Sequence, residues 1–133
     1  MAGKLGGKVS KSSFREFGYQ EVNLVQDCPL LKNLETNKSA IKTWTSHGDR
    51  VESIPENFSI FASSSNAPIA GMMDLEKKYF GLQFHPEVTH TEFGKEIIEN
   101  FVNDICRCPK IWLAENIIKD HIEKIKRTVG SEK

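Results

Sequence analysis

Up to Phe84 the chain is organised by alternation of apolar and polar positions, and beyond it by helical spacing. Tyr19-Gln20-Glu21-Val22-Asn23-Leu24 and Ile41-Lys42-Thr43-Trp44-Thr45-Ser46 alternate with β-forming side chains, which predicts two half-buried strands. Lys8-Val9-Ser10-Lys11-Ser12 alternates more weakly after Gly6-Gly7 and reads as another strand entered through a turn. The strand from Ile41 is expected to stop at His47-Gly48-Asp49, a polar turn in which Gly48 supplies positive φ. Phe58 to Ala62, Ile69 to Met73 and Tyr79 to Phe84 are short apolar runs bounded by Ser, Asn, Pro and charged residues. They read as consecutive strands, antiparallel in part. Asp27 ahead of Cys28-Pro29-Leu30-Leu31 suggests a short helical turn.

Phe93, Ile97, Ile98, Phe101, Val102 and Ile105 then recur at helical spacing, with Thr89 and Glu92 placed as a capping box. Leu113, Ile117, Ile118, Ile122, Ile125 and Val129 mark a last helix, with Gly130 as its C-cap and Pro109 between the two. Strands followed by helices give an α/β or α+β layer arrangement, and the pattern alone does not choose.

Composition narrows the classes. At 133 residues the chain fits one compact domain or part of one. Lys+Arg and Asp+Glu balance at 18 each, so no net field favours nucleic acid or an anionic membrane surface. No apolar run approaches the about 20 residues that span a bilayer, and the N-terminal stretch has no signal-peptide pattern, which makes the cytoplasm the default. Three cysteines, Cys28, Cys106 and Cys108, form an odd set without a metal-spaced Cys/His partner pair. Neither a disulfide framework nor a metal site is expected.

Two short stretches carry candidate chemistry. His85 and Glu87 stand two residues apart where a strand runs out, so both side chains fall on one face, with Pro86 keeping the chain extended between them. A carboxylate beside an imidazole can fix its tautomer and stabilise its cation, as acid/base work on a thiol or a leaving amine requires. Spacing alone fits a solvated or core histidine as well. Ser46-His47-Gly48-Asp49 gathers a hydroxyl, an imidazole, a backbone amide and a carboxylate that could hold an amino-acid substrate, or be an ordinary polar turn. His90 and His121 read as structural or solvated, and Trp44 and Trp112 as core or interface aromatics.

Taken together, SHGD at Ser46 to Asp49, FHPEV at Phe84 to Val88, His90-Thr91 and Gly94 resemble the C-terminal half of the class I glutamine amidotransferase domain of GMP synthetases. Arg15-Glu16-Phe17-Gly18, Ala67-Pro68-Ile69-Ala70 and Asn100-Phe101 continue the likeness. Ile105-Cys106, Trp112 and Ile125 to Gly130 look like the passage toward an ATP pyrophosphatase domain, which separates this resemblance from anthranilate, CTP and carbamoyl-phosphate relatives.

The resemblance implies an α/β fold, a mixed sheet with flanking helices, truncated at its N-terminal side. Residues 1–105 would be the C-terminal half of the amidotransferase domain, and 106–133 a linker and first helix toward the absent pyrophosphatase domain. In such enzymes a cysteine attacks the side-chain amide of glutamine, and the released ammonia aminates XMP to GMP with ATP and Mg. His85 would be the general acid/base and Glu87 its orienter, with Ser46, His47, Gly48 and Asp49 bordering the glutamine. The nucleophile of the family lies in a glycine-flanked turn upstream of Gly6-Gly7, and none of the three cysteines here lies in such a turn. The SGGxDS phosphate loop would follow Gly130 and is likewise outside the chain. The chain is therefore expected to be an interior slice, inactive alone and without a cofactor of its own. Its partners would be the nucleophile-bearing half, the pyrophosphatase domain and glutamine. The alternative is a non-catalytic split subunit or a regulatory interaction module.

Overall fold

A computed structural model describes residues 1–34, 39–110 and 113–130, with the backbone only at 13–16; Trp112 lies outside the described residues. Among the described residues five strands form one sheet: β1 (Lys8–Leu24), β2 (Ala40–Ser53), β3 (Ser59–Ser63), β4 (Gly71–Asp74) and β5 (Tyr79–Leu82). Their order is β2-β1-β3-β4-β5, and every pairing is antiparallel. The parallel part of a mixed sheet is not among these strands. Helices follow the strands along the chain, giving the α/β character expected.

Period-2 alternation sorts the strand side chains to two faces. Phe61 and Met73 join Val22, Ile41, Phe84 and Ile97 in the larger core, whereas their neighbours Ile60 and Met72 pack with Ala2 and Ile69 on the opposite face. Gly71 fits only because it lacks a side chain, since a Cβ there would stand 2.7 Å from the Phe61 ring and 2.9 Å from Ala62 Cβ.

Two expectations are corrected here. β2 does not stop at His47-Gly48-Asp49 but runs on to Ser53, with His47 opposite Glu16 and Asp49 opposite Lys11. The weakly alternating start of β1 supplies the partner edge, and backbone pairing replaces the turn. Gly48 accordingly is not among the glycines with positive φ. The proposed capping box is also absent. Helix α1 (Gly94–Glu99) starts from Phe93 in a left-handed conformation, φ 58°, with no side-chain cap, because the Glu92 carboxylate is engaged by the Lys42 amide of β2 at 2.9 Å.

After α1 the helix widens to a π-turn over Asn100–Ile105, with the Cys106 amide donating to the Phe101 carbonyl at 2.9 Å. The Asn100 side-chain amide donates to the Leu30 and Lys32 carbonyls at 2.9 and 2.8 Å, binding the helix to the short 3-10 turn Pro29–Leu31. Helix α2 (Ala114–Val129) has no buried residue and ends at Gly130 as predicted. Among the described residues no helix is long and apolar enough to cross a membrane.

Candidate active site

β2 ends the sheet order, so among the described residues its outer edge has no strand neighbour. Unpaired backbone donors and acceptors on a sheet edge need partners. The segment leaving β5 supplies them. The His85 amide donates to the Trp44 carbonyl and the Glu92 amide to the Lys42 carbonyl, each at 2.9 Å. In return the Lys42 amide donates to the Glu92 carboxylate at 2.9 Å, and the Trp44 amide to the Thr91 hydroxyl oxygen at 3.0 Å. Farther along β2, the Gln83 side chain donates to the Asp49 carbonyl at 3.0 Å and accepts from the Val51 amide at 3.4 Å.

This edge holds the candidate pair. His85 Nδ1 lies 2.8 Å from Glu87 Oε1, with His85 41% and Glu87 59% exposed at the side chain. An ionised carboxylate only accepts, so Nδ1 carries the proton and Nε2 of the neutral ring is left to take one. The backbone N–H of Glu87 itself, and then the His85 ring, hold the Glu87 carboxyl below the usual carboxylate range. Gly94 lets α1 begin against the intervening proline, because a Cβ at that position would collide with the Pro86 carbonyl oxygen.

Ser46, His47, Gly48 and Asp49 all lie in β2, not in a loop. Gly48 and Asp49 line a shallow cleft of about 230 Å³ with Lys11, Ser12 and Phe17. Glu87 lines a different cleft of about 460 Å³ with Pro86, Thr91 and Gly94. The two motifs are thus joined through the β2 backbone and Gln83, while Glu87 and Asp49 face separate clefts. His90, read as structural or solvated, packs its ring 4.8 Å from Trp44 and 5.7 Å from Tyr19.

The three cysteines fall into two settings. Cys28 is part of the larger core, and burial pushes its thiol up to about 11. Cys106 and Cys108 are exposed beyond the π-turn. Among the described residues no group of three or more His, Cys, Asp or Glu is placed to hold a metal ion.

Sequence reasoning missed what Gln83, Thr91 and Glu92 do. Each acts across a sequence gap of 32 residues or more onto β2, which no local pattern announces.

Residues 1–105 match the model of the class-I glutamine amidotransferase family. The chain belongs to this family. It is 49% identical, across its whole length, to the glutamine-hydrolysing GMP synthase of Idiomarina loihiensis, and 47% identical over 99% of its length to that of Hydrogenovibrio crunogenus. It spans 26% of the length of each of these relatives. A solved structure from Thermoplasma acidophilum, assigned to a GMP synthase, superposes with a TM-score of 0.71 at 32% identity, covering 80% of this chain and 51% of that one. The amidotransferase fold and the likeness to GMP synthases therefore rest on sequence and shape together.

Proposed function

We propose that the chain is part of the glutamine-hydrolysing unit of a GMP synthase, with His85 as its general acid/base and Glu87 as the group that orients and stabilises the imidazole. The observation that carries this reading is the 2.8 Å Nδ1 to carboxylate contact at a strand end, in a chain of amidotransferase family. A thiol supplied by the nucleophile-bearing half gives its proton to His85 Nε2, and the thiolate adds to the glutamine amide carbon. As the tetrahedral species collapses, the C–N bond breaks and the imidazolium returns the proton to the departing ammonia. Water then adds to the thioester with His85 taking its proton, and glutamate and the thiol are released. Ser46 to Asp49 border the glutamine on this reading. Residues 106–133 lead toward an ATP pyrophosphatase domain, where the ammonia aminates adenylated XMP.

The test is a chimera in which this segment replaces the matching quarter of the Idiomarina loihiensis enzyme. Glutamine-dependent GMP formation by the chimera is expected. A chimera that folds and makes GMP from ammonia but not from glutamine favours the non-catalytic module instead.

A further inference from the structure

We infer that Thr91 is a positioning residue for His85, an inference that rests on the acid/base reading just given. Thr91 is only 6% exposed. Its hydroxyl donates to the His85 carbonyl at 2.6 Å and accepts from the Trp44 amide at 3.0 Å. A hydroxyl has one hydrogen, and here it is spent on the residue that carries the imidazole. His85 also donates its own amide to the Trp44 carbonyl at 2.9 Å, so both polar backbone groups of His85 are fixed against one residue of β2, directly and through Thr91.

That arrangement sets the direction of the His85 Cα–Cβ bond. Only the side-chain torsions remain, and the Glu87 contact at 2.8 Å fixes the ring. Glu92, next in sequence, brackets Lys42 with its amide and its carboxylate, which keeps Thr91 in register with Trp44. The hydroxyl therefore acts on the acid/base group through the backbone, with both of its bonds made to main-chain groups. Val at this position has almost the same shape and neither bond; Ser keeps both bonds and loses only the methyl.

The direct test is the state of the His85 ring in the 133-residue chain, read from its ¹⁵N shifts by NMR. The parent chain and Thr91→Ser are expected to show protonated Nδ1 and bare Nε2 in the neutral ring. Thr91→Val is expected to show a mixed ring and amide exchange at Trp44 faster by on the order of tenfold or more. A folded Thr91→Val with the parent tautomer and the parent Trp44 exchange overturns the inference. Should Thr91→Val not fold, Thr91→Ser decides. Retention of protonated Nδ1 supports the inference, and a mixed ring overturns it by showing that the methyl and not the hydroxyl is what matters. In the chimera, Thr91→Val should lower the glutamine-dependent kcat about 10- to 100-fold with KM nearly unchanged, and Thr91→Ser should restore it. The ring readout needs no turnover. A scrambled ring in Thr91→Val together with full glutaminase in His85→Ala would leave the positioning intact and remove the acid/base reading.

Discussion

Gly94 sits directly against the Pro86 carbonyl, so that a Cβ built on it meets the oxygen and stands 3.0 Å from the carbonyl carbon. Both contacts are backbone, which cannot swing aside as a side-chain tip can. Gly94→Ala is expected to cost about 1–3 kcal/mol, the range of overpacking a tight site, and to shift the His85 and Glu87 resonances before those of β3 or β4. Urea denaturation with NMR at the two residues checks this; parent stability and parent shifts would show that the loop yields freely.

Glu87 should titrate below the ordinary carboxylate range, because its charged form accepts from its own amide and from His85. The sign follows from the depressed value: the pairing is present above the unfolded carboxylate pKa of about 4.3 and is lost as pH falls through the folded one. The carboxyl carbon of Glu87, followed by NMR, should therefore have its midpoint below that value. His85→Ala should move the midpoint only part of the way up, since the larger contribution is the backbone N–H. An unshifted midpoint in the parent chain would mean that the pair does not persist in solution.

The three thiols should separate into two classes. Cys28 is buried and its thiol is pushed from 9.0 to about 11, whereas Cys106 and Cys108 are exposed. At pH 8 iodoacetamide should modify the exposed pair first, with Cys28 slower by on the order of 10- to 100-fold, and all three should react alike in urea. Equal native rates would remove Cys28 from the core.

Much of this fold is legible in the sequence where a pattern is local. The alternation from Tyr19 to Leu24 and from Ile41 to Ser46 falls within β1 and β2, and Pro29, Pro109 and Gly130 mark boundaries as expected. The rest depends on distant partners. His47 to Asp49 looks like a turn because its residues are polar, yet pairing with Lys11 and Glu16 extends the strand through it. Thr89 and Glu92 have capping-box spacing, but Glu92 gives its carboxylate to Lys42, 50 residues away. The His85 to Glu87 contact was readable from a two-residue spacing. Its attachment to β2 through Thr91 was not, since it spans 47 residues to Trp44.

The chain alone should release no glutamate from glutamine, because imidazole and carboxylate without a suitable thiolate form no thioester. Glutamate assayed over hours should stay at background. Release above background that disappears in Cys28→Ala would contradict this and make Cys28 the nucleophile.

On the proposed function, His85, held by Glu87, should do acid/base work on glutamine and on nothing else. Glutamine-dependent and ammonia-dependent GMP formation, compared in the chimera with and without His85→Ala, separate the two. His85→Ala should lower the glutamine-dependent rate by on the order of 10³-fold or more and Glu87→Gln should lower it less, while the ammonia-dependent rate persists in both. Normal glutamine-dependent turnover in His85→Ala, or equal loss of both activities, would contradict it and leave His85 as a structural residue.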